Sequence, residues 1–189
     1  GMYSGTNMSH VIDRGNGYVV SKSLKKSTKK EREWVLEQEG YVIVSPDFKY
    51  KSRIVTRTIT DENGISRKIQ QKVVVYWSRA FYAREKHENQ SFLDFIEKLK
   101  ANPNGFRISA AQSRSLRKFM KKEVLHEKTG EIFDSTKLRT MIDDEKLTEF
   151  NELMGYYQIV SSELEMDDLE IIDKYHGLTR IEDQFREMK

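Results

Sequence analysis

The stretch that most restricts the fold of this 189-residue chain runs from Tyr41 to Ser78. It is rich in β-branched and aromatic residues, which favours strands over helices. We predict three strands there, at about 41–45, 49–60 and 65–78. The last two should form a hairpin, because Asn63-Gly64 between them is typical of a tight turn. The chain is therefore expected to contain an antiparallel sheet.

Helical patterns occupy much of the remaining sequence. We predict helices at about Thr6 to Arg14, Ser27 to Gln38, Arg79 to Ala101, Ser109 to Lys121, Asp143 to Met154 and from Asp167 onward, further strands at Tyr18 to Ser23 and Tyr156 to Ser161, and a hairpin within Lys122 to Phe133. Asn7 is expected to cap the first helix, and Thr28 with Glu31 has the spacing of a capping box. Helices and strands that alternate in blocks indicate an α+β fold.

Charge is distributed unevenly along the chain. Residues 1–122 carry 25 Lys and Arg against 12 Asp and Glu, whereas residues 123–189 carry 8 against 18. A surplus of positive charge suits contact with a polyanion such as nucleic acid. The simpler alternative is that the basic and acidic parts pair with each other within the chain.

Six basic residues are the main candidates for contact with DNA: Arg53, Arg57, Lys68, Arg114, Arg117 and Lys118. Alternation along a strand places Arg53 and Arg57 on one face, where they would form a basic ribbon that suits a DNA backbone. The positive charge would continue across the hairpin in Arg67, Lys68 and Lys72. A sheet or helix face that simply stays in water would have the same pattern.

Composition excludes several classes of protein. Charged residues make up 33% of the chain, and no apolar run approaches the roughly 18 residues of a membrane-spanning helix. Cysteine is absent, which excludes disulfides and thiolate metal sites. The N-terminus has no signal-peptide pattern, so we expect a cytoplasmic protein without a membrane partner.

The final helix contains the grouping that most suggests catalysis. An apolar stripe recurs at helical spacing in Leu178, Ile181, Phe185 and Met188. Tyr175, Glu182 and Lys189 follow each other every seven residues along its edge. A glutamate at such an edge can be held by packing and still reach a metal ion or a phosphate. Alternatively, Glu182 pairs with Arg186 on the helix surface.

Tyr175, Glu182 and Lys189, with Ile181, Asp183 and Phe185 between them, resemble the Tyr/Arg/Glu/Lys signature of bacterial insertion-sequence transposases of the DDE type. The preceding run, from Gly155 to Leu164, is similar to the strand that leads into the signature helix of that family. The pattern departs at Leu178, where many members carry arginine.

The resemblance implies a partial ribonuclease-H-like α/β core at residues 1–24 and 155–189, with a β-rich insertion that also contains helices at residues 25–154. In this family three carboxylates hold two Mg²⁺ ions during attack on a DNA phosphodiester. Glu182 would be the catalytic and metal-binding residue of this chain, and Tyr175 and Lys189 would contact phosphate. The partners would be DNA, at transposon ends and target, and a second copy on that DNA.

A fragment with one of three catalytic acids is not expected to cleave DNA.

Two alternatives belong to other classes of protein. The chain could be a non-enzymatic nucleic-acid-binding module, in which Glu182 only pairs with Arg186. It could also be a protein interaction domain whose basic and acidic parts neutralise each other.

Overall fold

The computed structural model describes residues 3–101, 110–120 and 142–187, and of residues 110, 113 and 178–187 it describes the backbone alone. The helices and strands are α1 (Gly5–Asp13), β1 (Val19–Ser21), α2 (Lys29–Leu36), β2 (Val42–Ser45), β3 (Phe48–Thr60), β4 (Ser66–Ser78), α3 (Arg79–Ala101), α4 (Ala110–Leu116), α5 (Asp144–Glu152), β5 (Tyr156–Ser161) and α6 (Asp168–Glu187). Short 3-10 helices lie at Leu24–Lys26 and Arg117–Phe119. The expected α+β class is confirmed. None of the helices in the described ranges is both long and apolar enough to cross a membrane.

The strands form one five-stranded sheet in the order β1-β5-β4-β3-β2, with every neighbouring pair antiparallel. Strands β3 and β4 pair along their whole length, from Phe48 opposite Ser78 to Thr60 opposite Ser66. The predicted turn between them is present, and Gly64 there adopts a positive φ of 80°. The hairpin prediction is therefore confirmed. Strands β1 and β5, from the first and last parts of the chain, pair in the same sheet.

The chain divides into two compact units. The sheet unit consists of residues 1–82 and 155–189, and the helical unit of residues 83–154. The predicted boundary after residue 24 is not found, because β2, β3 and β4 belong to the same sheet as β1 and β5. This pairing joins residues such as Lys72 and Ser161, which are far apart in sequence, so local patterns gave no sign of it.

In the sheet unit, different segments cover the two faces of the sheet. Val74 and Ile159 lie on the face that packs against Ile171 and Ile172 of α6, in one buried cluster. The opposite face carries the basic residues of β3 and lies against α1 and residues 34–41, two parts of the N-terminal segment 3–41. Lys51, for example, is 4% exposed and sits beneath the N-terminal segment.

One of the two predicted helix caps is present. The Thr28 and Glu31 side chains form the predicted capping box at the start of α2. At α1 the cap is Ser4 instead of Asn7, and the Asn7 backbone N–H donates to Ser4 Oγ at 3.3 Å. The helix starts at Gly5, one residue earlier than predicted, and Ser4 before it has the extended backbone that a capping residue needs.

The helical unit has its own apolar core, formed by Ile96, Leu99, Leu116, Phe119, Met120, Ile142 and Leu147. Helix α4 is shorter than predicted, because the chain turns to a 3-10 helix at Arg117 and then becomes extended at Met120. Met120 forms an isolated β-bridge with Ile142. The hairpin predicted within residues 122–133 lies outside the described residues.

Candidate nucleic-acid interface and signature helix

Helix α6 is anchored to the sheet at its N-terminal end. Asp167 caps it, with Oδ1 accepting from the backbone N–H of Leu169 at 2.9 Å. Asp168 pairs with Lys72 of β4 across 2.8 Å, and the two side chains are 16% and 15% exposed. Lys72 Nζ also donates to the Met166 carbonyl at 2.7 Å. Because this pair is shielded from water, removal of either partner would leave the other charge desolvated and unpaired.

Packing continues the attachment through the first turns of α6. Ile171 is 0% exposed and Ile172 is 6% exposed. Both belong to the buried cluster that includes Val74 and Ile159 of the sheet. The beginning of α6 is therefore part of the core of the sheet unit.

Tyr175 is half-buried at the rim of this cluster. Its hydroxyl lies 2.7 Å from that of Tyr157 on β5, and the ring centroids are 5.6 Å apart. Next to it, His176 Nε2 lies 3.0 Å from the Tyr76 hydroxyl. A phenol has a single proton to donate. The predicted phosphate contact by Tyr175 therefore requires that Tyr157 donate the proton in their shared hydrogen bond.

The remaining signature residues lie at or beyond the end of the described side chains. The backbone of Glu182 belongs to α6, about two turns after Tyr175 and roughly 10 Å further along the helix axis. Its side chain lies outside the described residues, as does all of Lys189. The predicted catalytic and metal-binding role of Glu182 therefore stays a prediction.

Arg53 and Arg57 stack on aromatic rings of the N-terminal segment. The Arg53 guanidinium carbon lies 3.9 Å from the centroid of the Trp34 ring, and that of Arg57 lies 3.8 Å from the Tyr3 ring. Arg57 also donates from Nη2 to the Tyr3 carbonyl at 3.0 Å. Both arginines are half-buried. Both lie on one face of β3, as alternation predicted, but Tyr3, α1 and Trp34 pack on that face. The predicted contact of Arg53 and Arg57 with DNA stays a prediction.

The other cations of the hairpin do not continue such a ribbon. Cross-strand pairing puts Lys68 opposite Thr58, on the face away from Arg57, where it is exposed. Arg67 lies on the same face as Arg57 but pairs with Asp13 at 2.6 Å. Lys72 lies on the face of Lys68 but pairs with Asp168. Of Arg67, Lys68 and Lys72, Lys68 is the cation best placed to meet a phosphate.

Lys51 is the most enclosed cation of the sheet. Its Nζ donates to the Glu37 carbonyl at 2.6 Å and lies 4.9 Å and 4.4 Å from the centroids of Trp34 and Tyr41. Burial lowers the pKa of Lys51, and the Glu37 carboxylate partly opposes this effect. Burial also lowers the pKa of Arg53. The basic residues of this face thus act mainly as bridges between β3 and the N-terminal segment.

We expect Arg53→Ala to lower the free energy of unfolding by about 1 kcal/mol, the size of a partly desolvated cation–π contact. Lys68→Ala, on the same hairpin but exposed, should change it by less than about 0.5 kcal/mol. Urea unfolding followed by circular dichroism would measure both. If Arg53 instead served DNA, Arg53→Ala would leave stability intact and reduce the salt dependence of DNA binding by about one counterion.

In the helical unit, Arg114 and Lys118 are exposed. Arg117 is half-buried, and its Nε is buried with no hydrogen-bond partner in the described part of the chain. Arg114 and Lys118 can therefore meet a phosphate directly. Arg117 is less accessible than predicted, because it begins the 3-10 turn that leads into the core at Phe119.

Sequence reasoning missed a cleft of about 540 Å³ in the sheet unit. It lies beside β1 and α6 and is lined by Gly17, Tyr18, Val19, Glu163, Met166, Lys174 and Gly177. Its walls come from both ends of the sequence. Gly177 leaves open space on the side of α6, whereas the Glu163 carboxylate lies where a Cβ of residue 17 would be. Nothing in the sequence connects these two segments.

Comparisons of this chain with protein-family models, with curated proteins and with solved structures found no match.

Proposed function

We propose that this chain is part of a DDE-type transposase that cleaves and joins DNA during transposition of an insertion sequence. The observation that carries the proposal is the attachment of α6 to the sheet. Through Ile171 and Ile172, the helix that bears Tyr175 and Glu182 packs against a sheet strand that immediately precedes it in sequence. A catalytic carboxylate needs such a fixed support.

The arrangement of β1 and β5 supports the finer proposal of a partial ribonuclease-H-like core. The resemblance assigns residues 1–24 and 155–189 to that core. These segments are neighbours in the sheet, with Val19 opposite Ser161. In the proposal, the intervening strands and helices are an insertion in sequence, although β2, β3 and β4 extend the same sheet.

The proposed roles follow the signature residues. Glu182 would be a ligand of Mg²⁺, and Tyr175 and Lys189 would contact phosphate at the transposon end. Within the described ranges, no three His, Asp or Glu side chains converge to hold a metal ion. The other two acids of the proposed site would come from sequence outside these 189 residues, so no step at a metal ion is assigned to this chain alone.

The decisive experiment compares two carboxylate substitutions on the signature helix. In the transposase that contains this chain, Glu182→Gln should abolish Mg²⁺-dependent strand transfer while leaving DNA binding nearly unchanged. Asp183→Asn is the matched control and should retain strand transfer, because the resemblance gives that residue no role. Strand transfer by the Glu182→Gln enzyme at the level of the control would overturn the proposal.

A non-enzymatic nucleic-acid-binding module is the second candidate. It is favoured by exposed cations at two places: Arg114 and Lys118 in the helical unit, and Lys25, Lys26, Lys29 and Lys30 beside the start of α2. Under this proposal DNA binding weakens steeply as salt rises, since phosphate contacts release counterions. Glu182→Gln would then alter nothing. DNA affinity that is insensitive to salt would instead favour a protein interaction domain.

A further inference from the structure

Strand β1 is an edge of the sheet, with β5 on one side and no strand on the other among the described residues. The Tyr18 carbonyl accepts from the N–H of Ser162, the residue after β5, at 3.1 Å, and the Lys22 N–H donates to the Gln158 carbonyl of β5 at 3.0 Å. Backbone hydrogen bonds alternate along an antiparallel strand. Val19 and Ser21 therefore direct their N–H and C=O groups away from β5, toward the free edge.

The cleft of about 540 Å³ lies directly beside this edge, and Val19 lines it. Met166 and Val19 give it an apolar wall, and Gly177 leaves it open on the side of α6. The volume is in the range of ligand pockets, about 300–1,000 Å³. A strand added to β1 would place every second side chain on the α6 face of the sheet, next to this cleft.

One side of the cleft is formed by an acidic segment of the chain. Residues 163–174 contain six Asp and Glu against one Lys. Two of the acids are paired with lysines, Asp168 with Lys72 at 2.8 Å and Glu170 with Lys174 at 2.9 Å. Glu163 lines the cleft itself, as does Lys174, whose charge is balanced by Glu170. The surplus negative charge complements a basic occupant.

We propose that the free edge of β1 and the adjacent cleft bind an extended basic peptide segment of a partner protein. The segment pairs its backbone with Val19 and Ser21, inserts one large apolar side chain into the cleft, and places flanking lysines or arginines near the acidic residues 163–174. This inference rests on the edge, the cleft and their charge, and it does not depend on the proposed function.

The probe is a seven-residue peptide with blocked ends, in which lysine alternates with valine around a central phenylalanine. Fluorescence anisotropy with the 189-residue chain should show saturable binding that weakens as salt rises from about 50 to about 300 mM. A peptide with glutamate in place of lysine should bind at least about tenfold more weakly. Absence of binding by the basic peptide, or equal binding of both peptides, would overturn the proposal.

Gly177→Leu tests the cleft without damaging the fold. A Cβ at this position meets no other atom within 4 Å, so the new side chain extends into open space. Leucine also favours a helix interior over glycine. We expect Gly177→Leu to keep or raise stability and to weaken peptide binding at least about tenfold. Gly177→Ala, the control, should gain similar helix stability and keep the binding. Unchanged binding by the leucine variant would show that the cleft is not used.

Backbone methylation tests the strand pairing. Two peptides methylated on alternate backbone nitrogens block opposite edges of the peptide, so one should bind like the parent and the other should not. Val19→Pro removes an outward N–H of β1 and should likewise abolish binding. If Val19→Pro fails to fold, the methylated peptides still decide the question. Equal binding of the two methylated peptides would exclude pairing with the edge of β1.

Discussion

Gly155→Ala should lower the free energy of unfolding of the sheet unit by about 3–5 kcal/mol, from backbone strain and steric overlap together. Gly155 has a positive φ of 84°, which L-residues rarely adopt. A Cβ there would lie 2.6 Å from Trp77 Nε1 and 2.7 Å from Tyr82 Cβ. Both distances are shorter than the closest approach of a Cβ to another heavy atom in proteins, so the neighbours would have to move. The Gly155 carbonyl also accepts from the Ser78 N–H at 3.1 Å, so the backbone cannot move away freely.

Gly64→Ala is the matched control, because it separates strain from overlap. Gly64 has nearly the same φ of 80°, but a Cβ there meets nothing within 4 Å. Gly64→Ala should lower the free energy of unfolding by about 1–2 kcal/mol, the strain of the left-handed backbone alone. Both tryptophans, Trp34 and Trp77, lie in the sheet unit, so their fluorescence during urea unfolding reports on that unit. Equal losses for the two variants would contradict the steric argument.

The elements that could be predicted from sequence are those with a local signal. The hairpin was specified by alternating β-branched residues and Asn63-Gly64, and its strands were placed within a residue of those found. Thr28 and Glu31 likewise marked the start of α2 through a contact between neighbours in sequence. Such signals depend on a few adjacent residues and need no knowledge of the rest of the fold.

The features that could not be predicted depend on which segment of the chain packs on which face of the sheet. Alternation correctly placed Arg53 and Arg57 on one face of β3, but it cannot tell which face another segment covers. The contacts with Trp34 and Tyr3 decide that, and they join residues far apart in sequence. The cleft beside β1 was missed for the same reason. For the candidate site, the sequence identified α6 and its strand, whereas the anchoring of α6 by Lys72 could not be read from it.

Ile171→Ala should destabilise the sheet unit by about 2–5 kcal/mol, because it removes a fully buried side chain between α6 and the sheet. The loss should be greatest at α6, whose first turns depend on this packing. Amide hydrogen exchange of residues 171–177, compared with residues 72–77 of β4, would measure it. Relative to the unmodified chain, we expect the substitution to accelerate amide exchange more in α6 than in β4.

Leu169→Ala is the matched control on the same helix, since Leu169 is 42% exposed and its truncation should cost less than about 1 kcal/mol. The comparison also bears on function. If α6 supports a catalytic Glu182, Ile171→Ala should reduce strand transfer by the complete enzyme at temperatures where the sheet remains folded, because the carboxylate is then poorly held. Leu169→Ala should leave strand transfer intact. Full strand transfer with a loosened α6 would mean that the rigid attachment of this helix does not serve catalysis.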